Sequence, residues 1–194
     1  MTCPDHFSPL MNDSWAYVST DEMNAMTESD WAILSQQRVP FFTSRADRVL
    51  SLYEAMRDEP SFGYHINNYR HGLQSGTRAV QAGLDAEDVV VCLLHDVGFS
   101  ICPENHGPFV AEMLKPVISE KNYWMLSNHA YFQTANPPER QAEIAARLLA
   151  LEAHEYAQWA REFVAKYDNP AMDPNFETLP LEYFVPIVRQ VLNK

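Results

Sequence analysis

Residues 89–98 read VVVCLLHDVG: six apolar side chains in a row, then an imidazole and a carboxylate. A helix that is apolar on all sides belongs inside a fold rather than on its surface. His95 and Asp96 therefore close a buried helix. The C-terminal end of a helix carries partial negative charge and disfavours an anion. Apolar surroundings make an unpaired carboxylate costly, on the order of several kcal/mol, or raise its pKa strongly. A cationic partner resolves the conflict. A metal ion does so best, with His95 as a second ligand beside Asp96.

Helical periodicity and capping residues organise the rest. Residues 1 to about 20 show no period and read as an arm. Thr27 and Asp30 form a capping-box pattern before WAILSQQ, a short helix expected to end near Pro40. Thr43 and Asp47 are expected to open a helix whose buried face carries Val49, Leu50, Tyr53 and Met56. After the linker SFGYHINNY, a helix is expected from Tyr69 to Ala82, stopped by Gly83. Asp85 caps the central helix, with Gly98 as its expected C-terminal cap. Asn105 is expected to cap a helix over 106–115 and Ser119 one from Glu120 to about His129. A long helical region is expected from Asn136 and Pro137 to Lys166, and a short one through Phe184 to Leu192. No strand alternation or repeat stands out. The chain reads as all-α, with an N-terminal extension over 1–42 and one domain over 43–194.

Bulk properties narrow the partners. A net charge of -12 and a pI near 4.9 disfavour nucleic acid and anionic lipid. A small anionic substrate remains compatible, because bound divalent ions invert the local field. The three cysteines include no CxxC pair, so neither a disulfide framework nor a cysteine-rich zinc site is expected. Reduced thiols and a start, MTCPDHFSPL, without signal-peptide regions point to the cytoplasm. The run VVVCLL is too short to cross a bilayer. Oligomeric state is left open.

The remaining ligand-type residues recur at helix-scale intervals. His71 lies 24 residues before His95, His106 lies 10 after Asp96, His129 lies 23 after His106, and Asp168 lies 39 after His129. Each sits on or at the end of an expected helix, and a helical bundle can aim such side chains at one point. Four histidines and two aspartates suit two borderline ions such as Fe, Mn, Co or Zn, with one aspartate as a bridge. His65, in a polar linker, His154, on a long helix, and His6, in the arm, are read as non-ligands.

The segments RHGLQ, LLHDVG, ENHGPF, SNHAYF and AKYDNP together resemble the H…HD…H…H…D pattern of the HD-domain superfamily, over roughly residue 60 to the C-terminus. The resemblance implies a helical bundle around a dimetal centre. It implies that His71, His95, Asp96 and Asp168 hold one metal, and that Asp96 bridges to a second held by His106 and His129. Asp96 is then the catalytic residue. The superfamily contains phosphohydrolases and phosphodiesterases, and also diiron oxygenases that act on myo-inositol or on 1-hydroxyalkylphosphonates.

Three features favour the oxygenase branch. The six-ligand set is full, RHGLQSG is similar to an EHALQ-type segment of the phosphonate oxygenases, and the HDxGK lysine and GYP motif of cyclic-dinucleotide phosphodiesterases are absent. That branch implies two irons, mixed-valent Fe(II)/Fe(III), a small-molecule substrate and dioxygen. The alternative is a metal-dependent HD phosphohydrolase using Mn, Co or Zn on a phosphate ester; a metal-binding module without turnover is the third class.

The chain departs from the aminohydroxyethylphosphonate oxygenases at the groups that hold the phosphonate. Phe99 replaces a His, Gln133 a Lys, and Ala165 and Lys166 stand where an Arg is usual. The preferred relative is therefore the oxygenase of 1-hydroxy-2-(trimethylammonio)ethylphosphonate. Tyr64, Tyr69, Tyr131, Phe132 and Trp159 are the aromatic supply for its quaternary ammonium. Tyr131, Gln133 and Tyr64 are the expected substrate contacts.

Overall fold

The computed structural model describes residues 15–133 and 138–193. It is all-helical: among the described residues there are nine α-helices and no strand. Residues 1–14 of the expected arm, including His6, and the expected helix start at Asn136 and Pro137 lie outside the described residues. The chain divides into two compact units, Met1–Ser44 and Arg45–Lys194.

The first unit carries α1 (Glu28–Thr43). Its capping box is formed: Thr27 Oγ1 accepts from Asp30 N–H, and the Asp30 carboxylate accepts from Thr27 N–H at 2.8 Å. Ser19 N–H donates to the same carboxylate at 2.7 Å. These bonds, Ser19 first and Thr27 next, pull the Asp30 pKa down to about 2. The helix does not end at Pro40 but runs through it. A proline deletes one backbone donor, and the chain resumes bonding at once, with Ser44 N–H on the Pro40 carbonyl at 3.0 Å. Thr43 does not open the next helix. It finishes α1, its hydroxyl donating to the Val39 carbonyl at 3.2 Å.

The second unit contains α2 (Arg45–Ala55), α3 (Asn68–Gln81), α4 (Ala86–Leu94), α5 (His106–Leu114), α6 (Glu120–Asn128), α7 (Gln141–Leu151), α8 (Ala157–Phe163) and α9 (Leu181–Leu192). Asp85 caps α4, its side chain accepting from Asp88 N–H at 2.9 Å. The run from Val89 to Leu94 is buried throughout. It is surrounded by α3, α6 and α9, which explains why no face of it is polar. Full burial of each such side chain contributes about 1.5–3 kcal/mol.

Four expected boundaries shift. Gly98 is not a left-handed cap, since the only positive-φ glycines are Gly63 and Gly83 among the described residues. Gly98 instead lies under α5, where an added Cβ would come within 2.7 Å of Phe109. Asn105 precedes α5 without a side-chain cap bond. The expected long helix breaks between α7 and α8, and after α8 the chain widens into a π-turn, Val164–Asp168. The final helix starts at Leu181, earlier than expected.

Two polar ties position the functional elements. Asn122 on α6 donates to Asp88 Oδ1 at 2.7 Å and Glu87 Oε1 at 2.9 Å, and accepts from Trp159 Nε1 at 2.8 Å, binding α4, α6 and α8. The segment after Asp168 is stitched to α3. Arg78 donates to the Pro170 carbonyl at 2.8 Å, Gln74 to that of Asp173 at 2.6 Å, and Leu179 N–H to Thr77 Oγ1 at 3.0 Å.

Helices α3 and α4 touch at Gly72, where a Cβ would lie 2.5 Å from the Leu93 carbonyl and 2.7 Å from Tyr53 Oη. Neither neighbour is the loose end of a flexible chain. Gly72→Ala is expected to lower unfolding free energy by about 1–3 kcal/mol, the usual cost of overpacking. Urea titration checks this, with a midpoint lowered at unchanged slope.

Candidate metal centre

His95 is the first residue past α4, and it brings Asp96 with it. His71 lies in the first turn of α3, His106 opens α5, His129 directly follows α6, and Asp168 ends the π-turn. These six residues, separated by almost a hundred positions, meet inside the second unit.

The four histidines are oriented alike. Each Nδ1 faces a backbone carbonyl: His71 that of Ala171 at 3.0 Å, His95 that of Cys92 at 2.9 Å, His106 that of Pro103 at 2.8 Å, His129 that of Leu126 at 2.8 Å. A carbonyl oxygen only accepts, so each Nδ1 donates and carries the proton. Every Nε2 is then a lone-pair donor turned toward the centre. His71 Nε2 and His95 Nε2 stand 3.0 Å apart, and His106 Nε2 and His129 Nε2 stand 3.3 Å apart. Lone pairs that close require a proton or a metal ion between them.

The carboxylates complete two groups. Asp168 Oδ1 is 3.3 Å from His71 Nε2 and 3.7 Å from His95 Nε2. Asp96 Oδ2 is 3.7 and 3.6 Å from the same two nitrogens. Its other oxygen, Oδ1, is 3.2 Å from His106 Nε2 and 3.6 Å from His129 Nε2. Asp96 Oδ1 is also a buried atom with no hydrogen-bond partner. Bonds of about 2.0–2.2 Å at tetrahedral or octahedral angles give donor–donor edges of about 2.8–3.6 Å. The observed edges, 3.0–3.7 Å, lie at about that scale, and the groups His71–His95–Asp168 and His95–Asp96–His129 can hold a metal ion.

The charges follow from the same packing. Burial pushes the Asp96 carboxyl up, and the surrounding imidazoles, His95 foremost, pull it well below the usual carboxylate range. Asp168 moves the same way, burial opposed by His71 and His95. Burial resists protonation of His71 and His95; their carboxylate neighbours outweigh it, and both pKa values rise. At His106 burial wins, helped by His129 against the pull of Asp96, and its pKa falls.

A cavity of about 500 Å³ opens onto these groups. His71, Asp96, His106 and Asp168 reach its wall. So do Tyr64, Tyr131 and Gln133. Tyr69, Phe132 and Trp159 do not line it. Tyr69 packs against Tyr53, Phe132 against Trp124, and Trp159 serves Asn122. His154 stacks on Trp124 and His65 is exposed, so neither joins the donor groups. Sequence reasoning missed Phe62, Asn68, Glu104, Ser127 and Arg140 in the wall. Asn68 sits three residues before His71, on the same helix face, so helical phase carried a signal for it, whereas Ser127, two residues before His129, is out of phase with it. Phe62, at φ 53°, and Arg140, from the approach to α7, are placed by tertiary structure alone.

No protein-family model matches the chain, and no curated protein shows significant similarity to it. Fold and site define it as an all-α protein with buried histidine–aspartate groups able to hold a metal ion.

A ligand that binds only the folded state stabilises it by about 2.7 kcal/mol at a hundred times its Kd. The chelator-treated protein is therefore expected to melt at higher temperature as a divalent transition ion is added, and His95→Ala to show a smaller rise. Calorimetry checks it; a melting temperature indifferent to every such ion would remove these groups as a metal site.

Proposed function

We propose that the chain is an HD-domain diiron oxygenase that cleaves the C–P bond of a small 1-hydroxyalkylphosphonate. The observation that carries the reading is the division of the Asp96 carboxylate, one oxygen toward His71 and His95 and the other toward His106 and His129. One carboxylate shared between two donor groups is what a bridged metal pair requires. When bound, two irons would supply the electron transfers with dioxygen that C–P cleavage needs. Net, a 1-hydroxyalkylphosphonate and dioxygen give a carboxylic acid and phosphate.

The residues divide the work. His71, His95, Asp96 and Asp168 would hold the inner ion, and Asp96, His106 and His129 the outer one. The outer group has three protein donors against four and therefore more room for substrate oxygens. Its one partly exposed histidine is His106, 18% exposed, against 5% for His71 and Asp168 of the inner group and 1% for His129. Substrate enters from that side.

The wall suits a small zwitterion. Among the described residues Arg140 is the one lysine or arginine lining the cavity, and its guanidinium is the natural partner of a phosphonate. Phe62, Tyr64, Phe99 and Glu104 provide aromatic faces and a carboxylate for a quaternary ammonium tail. Phe62 and Phe99 lie 6.1 Å apart, and Phe99 is 5.5 Å from His106.

Metal counting tests the centre. Reconstituted with iron under reducing conditions, the wild type is expected to hold two ions per chain, His71→Ala one, and Asp96→Ala none. Elemental analysis reads this better than melting temperature, because removing a buried carboxylate also removes its desolvation cost. Two ions retained in Asp96→Ala would refute the bridge.

An oxygen electrode tests the reaction. The iron-loaded protein is expected to consume one dioxygen per phosphate released from 1-hydroxy-2-(trimethylammonio)ethylphosphonate or a close analogue. Phosphate release from esters, with no oxygen uptake on any hydroxyphosphonate, would make it a hydrolase instead.

A further inference from the structure

We infer that Gln133 is a positioning residue for the inner donor group and not primarily a substrate contact. The inference rests on the dimetal reading above. Gln133 follows the 3-10 turn His129–Phe132 in extended conformation. The turn that starts with a donor of the outer group thus ends beside a donor of the inner one. Gln133 Nε2 donates to Asp168 Oδ2 at 2.7 Å. The other oxygen, Asp168 Oδ1, is the one 3.3 Å from His71 Nε2.

That division matters chemically. A carboxylate at the end of a π-turn can rotate and present either oxygen, or both, to a cation. The amide bond occupies Oδ2 and leaves Oδ1 as the single donor atom. The backbone of Asp168 is already held by the stitching of the following segment to α3. Gln133 supplies the remaining constraint, on the plane of the carboxylate. It also lines the cavity, so it connects the substrate space to the more buried of the two groups.

A positioning role predicts a selective effect. Partners that orient a ligand typically contribute ten- to hundredfold in metal affinity. Gln133→Glu keeps the shape but exchanges the amide donor for an ionised acceptor. Gln133→Met keeps the length and removes the donor without adding charge. Both are to be titrated with Co(II) beside the wild type, with the visible absorption read at each step. The step that His71→Ala abolishes identifies the inner group.

In both variants that step is expected to weaken ten- to hundredfold, with the other step within about twofold of wild type. A Gln133 that merely packs would lower the melting temperature and leave the ratio of the two affinities unchanged. Variants that bind both ions like the wild type, or lose both equally, overturn the inference and leave the dimetal reading standing. A wild type that takes up no Co(II) overturns the two together.

Discussion

The second unit depends on one electrostatic constraint: a carboxylate at the end of a buried helix. Asp96 follows an apolar helix whose C-terminus already bears partial negative charge. The protein answers by surrounding the carboxylate with four imidazoles, none more than 3.7 Å from one of its oxygens. Each comes from a different stretch of chain. Helices α3, α5 and α6 and the end of α4 must therefore converge there. The polar tie through Asn122 and the stitching of the segment after Asp168 to α3 hold that convergence. The orphaned Asp96 Oδ1 marks where the compensation is incomplete without a cation.

Convergence needs close helix contact, and each histidine pair has a glycine beside it. Gly72 follows His71 and lets α3 meet the Leu93 carbonyl of α4. Gly107 follows His106 and meets the Leu126 carbonyl, 2.6 Å from where a Cβ would stand. That carbonyl is the one that fixes His129. The same backbone that allows the approach thus locks the imidazole. Using carbonyls for all four Nδ1 atoms sets one tautomer throughout, so the lone pairs face inward without further side chains.

Asymmetry between the two groups then gives the site a direction. His95 is sealed among core residues and His71 and Asp168 only graze the cavity, at 5% exposure, whereas the Asp96 and His106 side chains are each 18% exposed there. Gln133 spans from that wall to Asp168. The aromatic mouth lies on the His106 side through Phe99 and Phe62.

Much of this was legible from local chemistry. Thr27, Asp85 and Ser119 announce helix starts because a cap bonds a backbone N–H only two or three residues away. Residues 89–94 announce burial because no face is polar. His95 and Asp96 stand out because costly polar groups close an apolar segment, and His71, His106, His129 and Asp168 because ligand-type residues recur on or at the ends of expected helices. Local rules misread Pro40, Gly98 and the break between α7 and α8. At Pro40 one lost bond was outweighed by the rest of the helix. At Gly98 the reason for glycine is the neighbouring α5. What the sequence determined alone is an all-α chain with a set of histidines and aspartates of the kind that can hold a metal ion, since periodicity and burial cost act within a few residues. Only the tertiary structure decided that these histidines gather around the two oxygens of Asp96, that Gln133 donates to Asp168, and that Arg140, and not Tyr69 or Trp159, faces the cavity. Those facts depend on how segments up to a hundred residues apart pack, and no local pattern encodes a contact across that distance.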